Sequence, residues 1–417
     1  MRILLVNYRY FISGGPEKYM FNIKEMLEKS GHKVFPFSVK SNKNVKTKYS
    51  RYFVEPIGDR NTVYFDECKK TPKTICQMIA RSVYSFGVKR AIQREIKDVK
   101  PDIVYIIHFV NKLSPSVIRG AKQLGIPVIL RLSDYFLLCP RFDFLCGTAV
   151  CEECLTKGYR SCIKKRCVKG SLSASLIRVF SMKVHSMLGI YEDVDAFITP
   201  SEFLKNKLIQ NGFNKDKIFN IPTFTTSKSK IGEPVLGKYG LYFGRISVEK
   251  GVDTIVKAYE QLPDHQVRIV GDDTTDEAIR LKKYIKKNKL KNIKFLGFKS
   301  GSDLEEEIKN ARFTIIPSIW YDNLPNTALE SFQYGKPIIA SNIGSLPELV
   351  IDGCNGYLFE PHEYSGLIEK IRLFDDDEVV QMMGRNSKER LEKKFSSEKH
   401  YQLLMNLFNR VKTNQYI

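Results

Sequence analysis

The 417-residue sequence predicts an α/β protein built from two doubly wound parallel domains facing across a cleft. Short apolar runs alternate with amphipathic stretches, the signature of βαβ units around a parallel sheet. The alternation pauses in the polar stretch 222–236 and then restarts. The length also suffices for two domains of ordinary size, each with its own core.

In the first half the candidate strands are Arg2–Asn7, Lys33–Val39, Ile103–Ile107, Pro127–Leu132 and Ala196–Thr199. Helices are expected over Glu17–Lys29, over Ser114–Leu124 with Val117, Ala121 and Leu124 at helical spacing, and over Ser201–Asn211. Segment 40–80 is polar, basic and poorly periodic, and reads as an insertion facing solvent. Small polar residues from Pro222 to Lys230 read as a linker. Strands resume at Gly240–Gly244, Gln266–Gly271, Ile293–Gly297, Phe313–Ser318 and Pro337–Ser341, with helices near 251–261, 275–288, 302–310 and 326–335. One or two closing helices fill 376–411. The expected division is 1–225 with a cysteine-rich insertion at 139–167, then 236–395, then a closing helix in 396–417. In doubly wound sheets ligands bind beyond the carboxyl ends of the strands, so the loops there are where chemistry is expected.

Composition narrows the class. No apolar run approaches the ~18 residues that span a bilayer. The apolar start Met1–Val6 is too short for a signal peptide and reads as a buried strand, so a cytoplasmic protein is expected. The net charge of +21 is lopsided: residues 1–230 hold 40 Lys/Arg against 19 Asp/Glu, and residues 231–417 hold 27 against 27. Nucleic acid, an anionic membrane or a phosphate-rich substrate could each meet a basic half. No nucleic-acid motif accompanies the charge, so the inner face of a membrane is the expected neighbour, with plain solubility the simpler reading. Six of the nine cysteines, Cys139, Cys146, Cys151, Cys154, Cys162 and Cys167, lie within 29 residues. In a cytoplasmic protein this favours metal over disulfides. Cys151, Cys154, Cys162 and Cys167 form either a structural zinc site or a set of reduced, packed thiols.

Two loops of the second half carry the chemistry. After strand Leu241–Phe243 comes Gly244-Arg245-Ile246-Ser247-Val248-Glu249-Lys250-Gly251, whose two cations and following helix N-terminus suit a diphosphate. After strand Phe313–Ser318 comes Trp320-Tyr321-Asp322-Asn323-Leu324-Pro325-Asn326-Thr327-Ala328-Leu329-Glu330. Asp322 can accept from sugar hydroxyls at the helix mouth, and Glu330, two turns along, from the vicinal hydroxyls of a ribose. A helix whose acidic residue merely complements its dipole is the simpler alternative. Asp272 and Asp273 are not read as a catalytic metal site, because the two cations already supply the neutralisation.

Taken together these segments, with Gly335–Ser341 and Gly344–Val350, resemble the retaining nucleotide-sugar glycosyltransferases of family four, which have the GT-B fold. The family's paired glutamates fall on Asp322 and Glu330, the first shortened to Asp, which alters its sugar contacts. The resemblance implies that Arg245 and Lys250 hold the donor diphosphate, that the backbone around Gly297-Phe298 receives the base, and that Gly14 and Gly15 approach the donor phosphates. It implies donor contacts from Asp322, Asn323, Leu324, Pro325, Asn326 and Glu330. Family members that build surface polysaccharides such as O-antigen read Leu-His-Asp-Tyr where this chain reads Leu132-Ser133-Asp134-Tyr135. Serine cannot titrate near neutrality as imidazole does. Either the variant works without the imidazole, with Asp134 and His108 as the nearest polar groups, or activity is lost. The expected activity is retaining hexosyl transfer from a nucleoside diphosphate sugar to a lipid-linked glycan, with no enzymic nucleophile and no catalytic metal. The alternatives are a non-catalytic nucleotide-sugar-binding partner and a nucleotide-sugar epimerase of the same fold.

Overall fold

The computed structural model describes residues 1–61, 68–226 and 235–413. Within the first of the two α/β units the order is β1 (Arg2–Asn7), α1 (Gly15–Lys29), β2 (Lys33–Phe37), α2 (Pro72–Val83), α3 (Phe86–Val99), β3 (Ile103–His108), α4 (Ser116–Lys122) and β4 (Val128–Arg131). The cysteine-rich stretch adds a small hairpin, β5 (Leu145–Cys146) and β6 (Ala149–Val150), and two short helices, α5 (Glu153–Thr156) and α6 (Arg160–Lys164). Then come α7 (Leu172–Met187), β7 (Ala196–Thr199), α8 (Glu202–Gln210) and β8 (Ile218–Asn220).

The second unit runs β9 (Tyr239–Phe243), α9 (Val252–Glu260), β10 (Gln266–Val270), α10 (Asp276–Lys287), β11 (Ile293–Phe295), α11 (Ser302–Lys309) and β12 (Phe313–Ile316). It continues with α12 (Asn326–Gln333), β13 (Ile338–Ser341), α13 (Leu346–Leu349), β14 (Gly356–Phe359), α14 (Tyr364–Leu373) and α15 (Asp377–Phe395), and ends in α16 (Ser397–Lys412).

Each unit is wound around a six-stranded parallel sheet, ordered β2-β1-β3-β4-β7-β8 and β11-β10-β9-β12-β13-β14. Their strands are apolar runs buried on both faces, as helices on both sides of a parallel sheet require: Ile3, Leu4, Leu5 and Val6 in β1 are fully inaccessible. Strand order reverses between β1 and β3 in one sheet and between β9 and β12 in the other. Those two switch points are where crevices open.

Helix α16 returns to the first sheet. Its Leu404, Leu407, Phe408 and Val411 join the core of Ile3, Leu5, Ile103 and Tyr105. The buried His400 lies between the Tyr19 hydroxyl at 3.0 Å and the Pro222 carbonyl at 2.7 Å.

Segment 40–80 faces solvent over most of its described length, as expected, but is more ordered and more anchored than its composition suggests. Phe53, Val54 and Ile57 are buried, Val54 bridges Val39, and residues 72–83 form α2, opened by a Thr71–Thr74 capping box and Pro72. Residues 62–67 of that segment, 227–234 of the expected linker and 414–417 of the closing stretch lie outside the described residues. Strands β8 and β14 were not among those expected; they read Ile-Phe-Asn and Gly-Tyr-Leu-Phe, where a polar residue or a glycine interrupts the apolar run.

Candidate active site at the sheet switch points

Two glycines bring the loops of the second sheet together. Gly251 has φ +69°, and a Cβ there would lie 1.9 Å from the Pro317 carbonyl oxygen, so only glycine fits. The Ile319 amide then donates to the Glu249 carbonyl at 3.0 Å. Gly271 likewise leaves no room for a side chain against the Gly244 carbonyl. The loop after β9 is thus laid along the loop after β12, and Lys250 arrives beside Asp322.

Lys250 Nζ donates to Asp322 Oδ2 at 2.5 Å, and Ser318 Oγ donates to the same oxygen at 3.1 Å. The ammonium lies 5.3 Å from the Trp320 ring centroid. The carboxylate is buried and the lysine nearly so, where water screens the pair little. Arg245 differs: its side chain is 68% exposed and only grazes Glu249 at 3.3 Å. Of the two predicted cations, one is fixed and one stands in the open.

The turn after Asp322 is held from behind. Ser345 Oγ donates to the Asp322 carbonyl at 2.6 Å and accepts from the Leu324 amide at 2.8 Å, with Leu324 at φ +56°. Pro325 then starts α12, whose N-terminus has no side-chain cap, leaving backbone N–H groups for a ligand. A Cβ at Gly15 would approach Asn326 Nδ2 to 3.2 Å, so the glycine loop of the first unit abuts this helix start. Gly14 is extended and has space for a side chain. One turn into α12, Glu330 accepts from Lys18 of α1 at 2.7 Å across the cleft. A cavity of about 250 Å³ opens beside them, lined by Lys18, Asn22, Asn326, Glu330 and Gln333 among others. Gly297, at φ +72°, accepts the Gly271 amide at 3.0 Å and leaves Phe298 exposed beside it.

At the first sheet's switch point His108 Nε2 and Asp134 Oδ2 stand 3.7 Å apart. Burial pushes the Asp134 carboxyl up, opposed by His108, by the Phe136 N–H and by Arg178. His108 Nδ1 is buried without a hydrogen-bond partner, and its ring meets Tyr8 edge-on at 4.9 Å.

Several residues at the site carry no local sequence signal. Ser201 Oγ donates to Asn323 Oδ1 at 3.0 Å, and Glu348 accepts from the Glu202 and Phe203 amides at the start of α8. Tyr321 enters an aromatic group with Tyr135, Phe144 and Phe203 and donates to Glu152 at 2.7 Å. These contacts fasten the loop after β12, and α13 after β13, onto the first unit. Their partners lie more than a hundred residues away in the chain, so no window of sequence contains both.

The zinc expectation finds no support. Among the described residues no group of three or more His, Cys, Asp or Glu is arranged to hold a metal. Cys154 and Cys167 each hydrogen-bond the Cys162 thiol, Cys167 also contacts Cys146, and Cys151 is not among these partners. Of the acidic pair, Asp273 binds Lys282 and Asp272 binds Thr274.

Comparison with known proteins agrees with this geometry. Residues 13–226 match the model of Glycosyltransferase Family 4, and residues 223–390 match Glycosyl transferases group 1. MJ1178, an uncharacterised glycosyltransferase of Methanocaldococcus jannaschii, is 31% identical over 49% of this chain and 56% of its own length. A 42.6 kDa protein in the cps region of Klebsiella pneumoniae is 23% identical over 84% of this chain and 87% of its own. Among solved structures, sucrose-phosphate synthase from Thermosynechococcus elongatus superposes with a TM-score of 0.70 at 18% identity, covering 99% of this chain and all of that one. The lipopolysaccharide outer core galactosyltransferase WaaB gives 0.64 at 16%, covering both chains completely. Likeness at such identity establishes the fold, GT-B. The match over 13–226 spans half the sequence, and the chain belongs to glycosyltransferase family 4.

Proposed function

We propose that this protein transfers a sugar, with retention, from a nucleoside diphosphate sugar to a lipid-linked glycan during surface polysaccharide assembly, working at the inner face of a membrane. The observation that carries the reading is the Lys250–Asp322 pair at the second sheet's switch point, beside the uncapped start of α12. The leaving diphosphate gathers negative charge as the glycosidic bond breaks. Lys250 and the α12 N–H groups would meet it with fixed positive ends, which need no rearrangement when the charge appears, and the exposed Arg245 would have to swing onto it.

In this reading both hydrogen bonds to Asp322 use Oδ2, which leaves Oδ1 for a sugar hydroxyl. Glu330 takes the ribose hydroxyls and gives up Lys18. Asn323, Leu324, Pro325 and Asn326 line the sugar and phosphate path, Gly14 and Gly15 close it from the other side, and Gly297 receives the base. The division proposed is an acceptor unit, 1–225, a donor unit, 236–395, and a closing helix within 396–417. His108 sits beside Asp134 near the segment where polysaccharide-building relatives have their histidine, so the imidazole here comes from a different strand. The diphosphate itself accepts the proton of the acceptor hydroxyl, and catalysis rests on positioning. The polysaccharide context is supported by relatives: the Klebsiella protein is described from a cps region, and CapM of Staphylococcus aureus, 23% identical over 54% of this chain, as a capsular polysaccharide biosynthesis glycosyltransferase. Anabaena HepE, of the same fold, has been solved with UDP and glucose.

Ser133 favours one second reading, a partner that binds nucleotide sugar and transfers nothing. A panel of nucleoside diphosphate sugars with membrane extract as acceptor separates the two. Release of nucleoside diphosphate from one donor, abolished in Glu330→Ala, with the product's anomeric configuration unchanged by NMR, is the expected result. Donor binding with no turnover on any acceptor would leave the non-catalytic reading standing.

A further inference from the structure

Helices α2 and α7 are inverted relative to the rest of the molecule. None of the twelve residues of α2 is buried, and its exposed residues Ile75, Cys76, Ile79 and Ala80 repeat at helical spacing, so they form one apolar stripe open to solvent. Along α7, Leu172, Leu176 and Phe180, each four residues on, are exposed, with Phe180 58% and Met187 85% accessible. Its inner face meanwhile buries Ser175, Arg178, Ser181 and His185 beside Val179 and Met182. Such a polar inward face needs a reason for the apolar one to point out.

The two helices are one surface, not two. Burial pulls His185 down to about 4, so the ring is neutral, and its Nε2–H is shared by the Ser82 and Val83 carbonyls, at 3.0 and 2.9 Å, at the end of α2. Phe86 follows directly and is 65% exposed. Residues 68–94 hold seven Lys/Arg and residues 154–191 hold eight, and neither segment has a single Asp or Glu. An acid-free apolar face with Lys69, Lys70, Lys73 and Lys183 exposed around it repels a second copy of itself and attracts a negative sheet. Exposed patches of this kind mark interaction sites, and a helix with an apolar face and cationic neighbours lies in the headgroup plane of a bilayer.

We infer that the α2–α7 pair, with Phe86, is the surface by which this protein docks on an anionic phospholipid bilayer. The inference rests on the membrane reading above and assigns it to particular residues. It gives a role to the exposed cations Lys69, Lys70, Lys73 and Lys183 of the basic half without invoking nucleic acid. It also puts the membrane on the unit proposed to hold the lipid-linked acceptor.

The test is co-sedimentation with vesicles of phosphatidylcholine alone and of an equal mixture with phosphatidylglycerol. The wild type is expected to bind only the mixture. The double variant Leu176→Ser, Phe180→Ser should lose roughly tenfold or more of that binding, given the area withdrawn from lipid. Lys69→Gln, Lys70→Gln, Lys73→Gln should lose about a hundredfold at ~1 kcal/mol per charge. Both variants should keep the wild-type melting temperature and donor binding, because the altered side chains are exposed. Vesicle binding that survives both variants overturns the surface and leaves the membrane reading standing. No binding by the wild type overturns both. A wild-type dimer that the apolar variant converts to monomer, by light scattering, assigns the face to a second copy and overturns the proposal.

Discussion

The crevice of the second sheet and the crevice of the first occupy equivalent positions and are built differently. In the second, Gly251 forces two loops into contact, and Lys250 and Asp322 meet at 2.5 Å with Ser318 on the same oxygen. In the first, His108 and Asp134 remain 3.7 Å apart, the imidazole's other nitrogen has no partner, and burial holds the carboxyl toward its neutral form. Charge follows the same division, with 27 cations against 27 anions in residues 231–417 and 40 against 19 in residues 1–230. A fixed pair suits a ligand part that never changes, the diphosphate. A looser pair suits the side of the cleft where acceptors differ.

The largest expected effect separates the two crevices directly. Asp322→Ala frees Lys250 and removes the proposed sugar contact, and should lower kcat/KM by roughly a hundredfold or more. His108→Ala, in the looser pair, should cost roughly tenfold. Equal losses in steady-state kinetics with one donor would break the comparison.

Next in size is a stability difference between buried charges. Lys336 is buried in the second unit, but its ammonium donates to the Val235 carbonyl at 2.7 Å. Glu95, on the buried face of α3, has no partner for either oxygen, and burial raises it from 4.5 to about 9. Its folded-state value lies above its unfolded one, so the native state holds the extra proton, and stability falls as pH rises from about 4.5 to about 9. Glu95→Met should raise the melting temperature at pH 8 by an amount equivalent to roughly 1–3 kcal/mol and flatten its decline across that window. A variant that melts lower at pH 8 would show that the carboxyl is partnered after all.

The smallest expected effect is at the cleft itself. Lys18 is more than half exposed where it meets Glu330, and an exposed pair contributes little. Lys18→Ala should change donor KM by no more than about threefold, in the direction of tighter binding, because Glu330 no longer has to release a partner. A tenfold weakening would make Lys18 part of the donor site.

The second crevice was legible in the sequence because its parts sit in two short windows, 244–251 and 320–330, each at the end of a recognisable strand. Periodicity there agreed with burial: β9, β12 and β13 are apolar runs, and all are inside. The same reasoning failed over 72–83, where the apolar residues of α2 face outward, so no inward stripe marks the helix as part of a core. Ser201, Lys18, Tyr321 and Glu348 were not legible at all, since each acts on a residue in the other half of the chain. The cysteines show a third kind of gap. Spacing singled out Cys151, whereas the thiols that meet Cys162 are Cys154 and Cys167.

The central claim is that a fixed cation at the second crevice stabilises the departing diphosphate. It is tested most directly by single-donor turnover of Lys250→Ala beside wild type, with donor binding measured by calorimetry on both. The account predicts that kcat falls by roughly 10²–10³-fold while donor still binds. A kcat within about twofold of wild type would contradict it, because the partly buried cation fixed beside Asp322 would then contribute nothing to the reaction.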